Sequence, residues 1–237
     1  MKFSIVVPAF NEERLLPATL AAIRSAAQVF GDGWELIVCD NNSTDRTAQM
    51  AREAGARVVF EPHNQISRAR NRGAAVAAGE WLVFIDADSV PSGGLFADLK
   101  NAIDGGRCLA GGSTIAAEGS FEFRTAIRFW NAISRATGWA AGSFIFCRKD
   151  VFSELGGFSG ELYAAEELEL SRRLKALARQ RGKEIVILHR HPLRTSDRKL
   201  RLYRRDELLG FLGRFVLHPR RTLRDSSACR PWYDGRR

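Results

Sequence analysis

Apolar and polar residues follow a regular pattern along the first hundred residues. Short runs rich in Val, Ile, Leu and Phe alternate with longer stretches whose apolar residues recur at helical spacing, such as Leu16, Leu20 and Ile23. The predicted strands span residues 3–10, 34–40, 56–62 and 80–88, and the predicted helices span 12–29, a segment ending at Gly55, and 66–78. Because strands alternate with helices, parallel βαβ units are indicated. We predict an α/β fold with a mostly parallel central sheet and helices on both faces.

Three of these four strands run into polar residues at their carboxyl ends. Asn11 and Glu12 follow the first strand, Asp40 ends the second, and Asp86 and Asp88 end the fourth. In open α/β sheets, ligands bind in the crevice at this edge. We therefore expect these side chains to line one pocket.

Asp86 and Asp88 are separated by Ala87. In an extended chain alternate side chains share a face, so both carboxylates would point the same way and Ala87 away from them. Two such carboxylates repel each other unless a cation joins them, and a hard divalent ion bridging to a diphosphate is a natural partner. The alternative is a solvated strand end, but the position beside other polar strand ends favours a metal site.

Two further features allow a binding and a structural interpretation. Asp40 precedes Asn-Asn-Ser-Thr, so it is either a turn residue or an acceptor for a base imide N–H, which would favour uracil. Arg68, Arg70 and Arg72 form either a solvated helix face or an arginine fork beside a diphosphate.

The pattern changes beyond residue 105. An aromatic amphipathic segment precedes a Gly-rich strand, the acidic stretch 164–170 opens another helix, and residues 184–192 form one more strand. Repeats, low-complexity tracts and flexible linkers are absent from the sequence. We predict one domain over residues 1–200 and a basic amphipathic C-terminal extension over residues 201–237.

The net charge of +9 is concentrated at one end of the chain. Residues 1–170 contain 16 Lys and Arg against 21 Asp and Glu, whereas residues 171–237 contain 20 against 6. A basic tail of this kind favours a phosphate-bearing partner, namely nucleic acid, an anionic membrane surface or a phosphorylated substrate. The charge alone does not choose among these partners.

The sequence carries no sign of export or membrane insertion. Met1 leads directly into the first strand without a basic leader or cleavage site, and no stretch approaches eighteen uncharged apolar residues. Cys39, Cys108, Cys147 and Cys229 are far apart and form no C-x-x-C. We expect a cytoplasmic protein with reduced core thiols, rather than disulfides or a zinc site.

Five ordered blocks of the sequence resemble family 2 of the glycosyltransferases, whose nucleotide-sugar-binding fold is called GT-A. The blocks are VVPAFNEE (6–13), IVCDNNSTDRT (37–47), RARNRGAAVAAGEWLVFIDAD (68–88), GGFSGELYAAEELELSRRL (156–174) and, more weakly, TSDRK (195–199). Together they cover residues 3–200. The resemblance implies a nucleoside-diphosphate sugar donor, Mg²⁺ or Mn²⁺ as cofactor, and inversion at the anomeric carbon.

The resemblance also implies roles for individual residues. Pro8 and Glu12 would lie beside the base and ribose, Asp40 would bind the base, Arg70 would bind the base or phosphates, Asp86 would face the ribose and metal, and Asp88 would be the direct metal ligand.

The general base is expected in the acidic stretch 164–170, since direct displacement requires a carboxylate that accepts the proton of the acceptor hydroxyl. The resembled family commonly has Glu-Asp followed one residue later by an acid. Here Glu167 stands at the position of that Asp and is the predicted base, with Glu166 as the alternative. Acids in a first helical turn also complement the helix dipole, which is the role expected for Glu169.

His189 and His191 lie on one face of the last strand, near its end. Each is either a surface histidine or a third metal ligand, and His191 is the better candidate for the ligand.

We therefore predict an inverting glycosyltransferase with a UDP-sugar or similar donor and an unidentified acceptor. A lipid-linked acceptor, with the basic tail against the inner face of the membrane, is the favoured setting. A nucleic-acid-binding protein and a catalytically silent nucleotide-sugar-binding module are the alternatives. A nicotinamide oxidoreductase is disfavoured, because VVPAFNEE stands where a G-x-G-x-x-G would follow the first strand.

Overall fold

The computed structural model describes residues 3–116, 121–140, 142–196, 222–225 and 227–229. Within these residues the strands are β1 Phe3–Ala9, β2 Trp34–Asp40, β3 Arg57–Phe60, β4 Trp81–Ile85, β5 Ser89–Val90, β6 Cys108–Ala116, β7 Phe144–Arg148 and β8 Glu184–Thr195. The α-helices are α1 Leu16–Ala26, α2 Thr47–Glu53, α3 Ile66–Val76, α4 Gly93–Asp104, α5 Phe121–Thr137, α6 Lys149–Glu154 and α7 Glu166–Gln180, and a 3₁₀ turn at Ala27–Phe30 extends α1.

The strands form one mixed sheet in the order β3-β2-β1-β4-β7-β6-β8-β5. The pairs β3–β2, β2–β1, β1–β4 and β6–β8 are parallel, and the pairs β4–β7, β7–β6 and β8–β5 are antiparallel. The strand order reverses at β1, which lies between β2 and β4. Because ligands of open α/β sheets bind at such a switch point, the carboxyl ends of β1, β2 and β4 define the edge where a site is expected.

Helices cover both faces of this sheet, as predicted, because alternate residues of each inner strand point to opposite faces. In β4, Val83 and Ile85 join a core formed with α1 and α4, whereas Leu82 and Phe84 join a second core formed with α3, α6 and α7. Both faces of the inner strands are therefore buried, which explains their continuous apolar sequences.

The structure corrects the predicted end of the fourth strand. The sequence predicted a strand through Asp88, but β4 ends at Ile85 and the chain turns, with the Ser89 N–H donating to the Asp86 carbonyl at 3.1 Å. Ala87 is buried in the core, whereas Asp86 and Asp88 are half-buried. The prediction that an extended strand carries Asp86 and Asp88 was wrong, and a shared direction of their two carboxylates stays a prediction.

The structure also bears on the predictions made for the cysteines, for a membrane span and for the basic tail. Cys39, Cys108, Cys147 and Cys229 are buried free thiols. Among the described residues, no helix combines the length and hydropathy needed to cross a membrane. The predicted domain boundary at residue 200 and the basic stretch 201–221 lie outside the described residues, and these predictions stand untested.

Candidate active site

Two loops at the carboxyl ends of β1 and β2 bond to each other and form one wall of the switch-point crevice. Asn11 has a positive φ of 53°, and its side-chain Oδ1 accepts from the Thr44 N–H at 2.8 Å, while its own N–H donates to Ser43 Oγ at 3.0 Å. The Glu12 N–H donates to Thr47 Oγ1 at 2.7 Å. The sequence blocks VVPAFNEE and DNNSTDRT therefore form one structural unit, held together by the short polar side chains of Asn11, Ser43 and Thr47.

Three residues that the resemblance assigned to the base and ribose lie in or beside this wall. Pro8 is buried within β1, paired in register with Cys39 of β2, and Glu12 is buried at the loop. Asp40 ends β2 with only 7% of its surface exposed, and its Oδ1 accepts from the Ser43 N–H at 3.1 Å. Asp40 is thus a turn residue, as one interpretation held, and its second carboxylate oxygen leaves the binding interpretation open.

Arg70 of α3 joins the end of β4 to the start of α7. Its Nη2 donates to Asp86 Oδ1 at 2.9 Å and to the Gly142 carbonyl at 2.8 Å, and its Nη1 donates to Glu166 Oε1 at 2.8 Å. The guanidinium carbon lies 5.2 Å from the centre of the Phe158 ring. The side chain is fully buried, and its Nε has no partner. The guanidinium therefore holds two carboxylates from sequence-distant elements at fixed positions.

The charges in this cluster do not balance. Burial alone would lower the pKa of Arg70, but the carboxylates of Asp86, Glu166 and Glu167 raise it. Burial raises the pKa of Glu166 to about 8, repulsion from Glu167 adds to the shift, and Arg70 opposes it. Because one guanidinium faces three carboxyl groups, the Glu166 carboxyl keeps its proton up to about pH 8 and accepts the Arg70 hydrogen bond as a neutral group at neutral pH.

Glu166 and Glu167 occupy different environments at the first turn of α7. Glu166 is 3% exposed and is bound to Arg70, whereas Glu167 is half-buried. A Cβ added at Gly142 would lie 3.3 Å from Glu167 Oε1, so this carboxylate sits directly against the Gly142 backbone. Glu167 is therefore the more accessible of the two carboxylates.

Glu169 and His191 bind partners of their own. Glu169 forms a two-contact ion pair with Arg173 one turn later in α7, at 2.7 and 2.5 Å, consistent with the helix-stabilising role expected for it. His191 Nδ1 lies 2.9 Å from Asp98 Oδ2 of α4, and its ring lies against Gly94. His189 is exposed, with Nδ1 3.3 Å from the Ile187 carbonyl. A metal-binding role for either histidine stays a prediction.

The carboxylates at the end of β4 fit a hard divalent cation. Asp86 and Asp88 supply half-buried oxygen donors, which are the donor type that Mg²⁺ and Mn²⁺ prefer. Among the described residues, three His, Cys, Asp or Glu side chains do not converge on one point. This donor set suits Mg²⁺, which binds through one or two carboxylates and completes its coordination with water and substrate phosphates.

Sequence reasoning missed several residues that shape the site. The Gly142 carbonyl and the Phe158 ring contact Arg70, and Gln65 Nε2 donates to the carbonyls of Gly160 and Leu162 in the loop before α7. Phe158, Gly160 and Leu162 lie within the block GGFSGELYAAEELELSRRL. Contacts through backbone carbonyls leave no residue pattern, and nothing in the sequence pairs the side chain of Gln65 with its two acceptors.

A cavity of about 660 Å³ lies elsewhere in the molecule. Its lining includes Glu80 and Trp81 at the start of β4 and Cys108 at the start of β6. Because these residues begin their strands, the cavity lies at the opposite edge of the sheet from Asp86 and Asp88 and is separate from the site described above.

Comparison with known proteins identifies relatives of this chain. The family profile described as "Glycosyl transferase family 2" matches residues 4–158. An uncharacterized glycosyltransferase of Mycobacterium bovis is 38% identical over 109 residues, covering 46% of this chain and 47% of the relative. A PGL/p-HBAD biosynthesis glycosyltransferase of the same species is 38% identical over 92 residues, covering 36% and 35%. The chain thus spans about half the length or less of these curated relatives.

Solved structures share the fold at low sequence identity. Glucosyl-3-phosphoglycerate synthase from Mycobacterium tuberculosis, crystallised with Mn²⁺, UDP and phosphoglyceric acid, has a TM-score of 0.65 at 21% identity, covering 95% of this chain and 80% of the other. TarS of S. aureus, residues 1–349, has a TM-score of 0.64 at 18% identity, covering 90% and 64%. These similarities confirm the GT-A fold predicted from the sequence.

Proposed function

Because the chain belongs to glycosyl transferase family 2, we propose that it transfers a sugar from a nucleoside-diphosphate donor, such as a UDP-sugar, to an acceptor hydroxyl with inversion at the anomeric carbon. The observation that carries the proposal is the pair of ion pairs at Arg70, which joins Asp86 at the switch point to Glu166 at the start of α7. The reaction needs carboxylates on both sides of the anomeric carbon. One set would hold the metal ion beside the departing diphosphate, and the other would accept the proton of the acceptor hydroxyl.

On the donor side, the linked loops after β1 and β2 would form the nucleoside pocket. The second carboxylate oxygen of Asp40 would accept the imide N–H of uracil, with Pro8 and Glu12 beside the base and ribose. In support, all three residues lie along one edge of the sheet. Glucosyl-3-phosphoglycerate synthase and TarS have both been crystallised with UDP.

At the end of β4, Asp88 would be the direct ligand of Mg²⁺ or Mn²⁺, with Asp86 facing the ribose and metal. When bound, the ion supplies positive charge beside the diphosphate. Arg70 would hold Asp86 in place through its 2.9 Å contact. The earlier prediction that Arg70 itself contacts the base or phosphates remains a prediction, and its bonds to Asp86, Glu166 and Gly142 support a positioning role.

On the acceptor side, Glu167 would be the general base. It would accept the proton of the attacking hydroxyl as the oxygen approaches the anomeric carbon. Its half-buried position beside Gly142 supports this choice over Glu166, which is buried against Arg70. A carboxyl group that is bonded to Arg70 out of solvent is poorly placed to reach an incoming acceptor.

The donor and metal assignments are tested together by thermal unfolding with UDP. A ligand at a hundredfold excess over its Kd adds about 2.7 kcal/mol of stability, which is roughly 5–10 °C in Tm for a chain of this size. We expect this rise with Mn²⁺ or Mg²⁺ and little rise in excess EDTA, because the diphosphate and Asp88 repel each other without the ion. Asp88→Asn should lose the rise, whereas Asp104→Asn, an exposed control at the end of α4, should keep it. Equal stabilisation in EDTA would exclude the metal role.

The two alternative functions predict different results in binding and activity measurements. A catalytically silent module would bind UDP-sugars yet neither transfer nor slowly hydrolyse the sugar. A nucleic-acid-binding protein would retain RNA or DNA at physiological salt and show no UDP-dependent rise in Tm. A lipid-linked acceptor and a location at the inner face of the membrane remain proposals based on the basic tail.

A further inference from the structure

The loop that leads into α7 is contacted by a segment more than fifty residues further along the chain. This C-terminal segment comprises residues 222–225 and 227–229. The Tyr163 N–H donates to the Leu223 carbonyl at 2.7 Å, and Arg224 Nη2 donates to Glu161 Oε2 at 2.6 Å. The segment therefore binds the loop through both backbone and side-chain contacts.

The C-terminal segment also buries its own side chains. Thr222 is buried, Cys229 is 0% exposed, and the Cys229 thiol donates to the Thr222 carbonyl at 3.4 Å. Burial raises the pKa of Cys229 to about 11, and the carboxylates of Asp225 and Glu166 add to the shift. The electrostatic effect of Glu166 indicates that the segment lies close to the first turn of α7.

A second support holds the same loop at another point. Gln65, immediately before α3, donates from Nε2 to the carbonyls of Gly160 and Leu162 at 2.9 and 3.0 Å. Gln65 is buried, so this support is part of the core of the domain. The C-terminal segment supplies further contacts on the 159–165 loop, at Tyr163 and Glu161.

The loop needs such external support because its local conformation is unfavourable. Ala165 precedes α7 with a φ of 60°, a left-handed conformation that costs a non-glycine residue about 1–2 kcal/mol. Its side chain supplies no capping hydrogen bond to the helix. Conformations of this kind persist where surrounding contacts impose them.

We propose that the C-terminal segment positions the acceptor side of the active site, by holding the 159–165 loop and with it the first turn of α7, which carries Glu166 and Glu167. This inference rests on the proposed function, in which Glu167 is the base. It makes the C-terminal segment necessary for turnover and largely dispensable for donor binding, since Asp40 and Asp88, the proposed base and metal contacts, lie on other elements.

The main contributions come from the buried contacts of the segment. Arg224 and Glu161 are 60% and 70% exposed, and exposed ion pairs contribute little to stability. The Tyr163–Leu223 hydrogen bond and the burial of Cys229 are the stronger contacts. The test therefore targets Cys229, and the exposed ion pair provides a milder variant that leaves the core unchanged.

The experiment compares hydrogen exchange, UDP binding and turnover in the full-length protein and its variants. Cys229→Glu places a charge at a buried site beside Asp225 and Glu166. We expect the amide exchange of residues 159–167 to accelerate by roughly tenfold or more, because the loop loses its support. We expect turnover to fall by about 10², the effect of displacing a catalytic group by about 1 Å. The UDP Kd should stay within about threefold, as for distant sites.

Four further variants test whether the effect is specific to the contact between the C-terminal segment and the loop. Cys229→Ala keeps the site uncharged and should resemble wild type in all three measurements. Arg224→Glu places two carboxylates opposite each other and should accelerate the exchange of residues 159–167 by about twofold to fivefold, and adding Glu161→Arg should reverse that increase. Ser25→Glu, on the exposed face of α1, controls for an added charge and should change nothing.

Two results would overturn the inference. Unchanged exchange of residues 159–167 in Cys229→Glu and Arg224→Glu would show that the segment does not hold the loop. Faster exchange with normal turnover would show that the support has no catalytic consequence. The exchange measurement needs neither donor nor acceptor. If the proposed reaction is wrong, the wild-type protein will be inactive, and the exchange data will still show whether the C-terminal segment holds the 159–165 loop.

Discussion

Arg70 is the residue at which contacts from three parts of the chain meet: Asp86 after β4, the Gly142 carbonyl before β7, and Glu166 in α7. A lysine could not replace it, because the planar guanidinium reaches its partners from two separate nitrogens at fixed angles. Glu167 lies beside this ion-pair cluster and accepts none of the hydrogen bonds that Arg70 donates to these partners. Its proposed role is therefore chemical, whereas the role of Glu166 is to hold the cluster together.

Glu167→Gln separates binding from chemistry at the proposed base. The substitution keeps the side-chain volume and removes the proton-accepting charge, so turnover should fall by roughly 10²–10⁴, the usual contribution of a positioned base. The UDP Kd should change by no more than about threefold, since the proposed donor contacts are those of Asp40 and Asp88. Steady-state rates and calorimetric UDP binding provide the two measurements. Near-normal turnover here with loss in Glu166→Gln would move the base to Glu166, provided that Glu166→Gln still folds.

The raised pKa of Glu166 predicts a pH-dependent stability. Its carboxyl binds a proton up to about pH 8 in the folded protein, but only to about pH 4.5 in the unfolded chain. Between these values the folded state binds more protons, so the free energy of unfolding should fall as pH rises from 5 to 8. Urea unfolding in EDTA should show this fall in wild type and a flatter profile in Glu166→Gln. A wild-type stability that rises relative to the variant over this range would mean that attraction to Arg70 outweighs burial.

At the scale of elements, the packing of α3 against β1 fixes where Arg70 lies. Gly73 faces β1 one turn after Arg70, and a Cβ added there would lie only 2.4 Å from Val6 Cγ1. The glycine lets the helix lie close to the sheet, which brings the guanidinium under the ends of the strands. Gly93, the first residue of α4, has open space around its Cα.

Gly73→Ala and Gly93→Ala form a matched pair. Both improve helix propensity by up to about 1 kcal/mol. Gly73→Ala should nevertheless destabilise the protein by about 1–3 kcal/mol, because the added methyl group overpacks the α3–β1 contact. Gly93→Ala should stabilise the protein by about 0.4–1 kcal/mol. Urea unfolding of both variants measures the difference, and equal effects would show that α3 can move away from β1 without cost.

For the whole molecule, charge is distributed in two parts. Residues 1–170 have more acidic than basic side chains, while residues 171–237 have 20 Lys and Arg against 6 Asp and Glu. The acidic part contains the proposed nucleotide and metal sites. A basic region of this size attracts anionic lipid surfaces, by about 1 kcal/mol for each basic residue near the surface.

Binding to anionic vesicles tests whether the basic tail contacts membranes. The intact protein should sediment with vesicles containing phosphatidylserine, more strongly at low salt than at physiological salt. Arg204→Glu with Arg205→Glu should reduce the partition coefficient by roughly tenfold or more. Arg14→Glu with Arg52→Glu changes the net charge equally on exposed residues outside the tail and should have a small effect. Equal losses from both pairs, or no binding of the intact protein, would exclude a tail-specific membrane contact.

The sequence by itself located β1 to β4 and α1 to α3, but not β5, α4 or β6, and it identified the edge at which the strands present polar groups. The periods of apolar residues located β1, β2, β4 and α3, and the resemblance gave the GT-A fold. The polar residues after the strands identified Asp40, Asp86 and Asp88, because parallel strands end at the same edge of a sheet. These inferences depend on local patterns, which a single chain displays directly. The same local reasoning placed the end of β4 three residues too late, because a turn bond between Asp86 and Ser89 leaves no periodic signal.

Only the tertiary structure decided which of these residues contact one another. Arg70 pairs with Glu166, 96 residues away, and the Tyr163 N–H bonds to the carbonyl of Leu223, 60 residues away. Such pairs depend on strand order, on helix packing and on the positions of backbone carbonyls. The chain has many side chains of the same charge, and a different packing of the elements would have paired different ones. The physical reason is that local sequence sets backbone conformation, whereas burial and hydrogen bonding between distant segments depend on the whole fold.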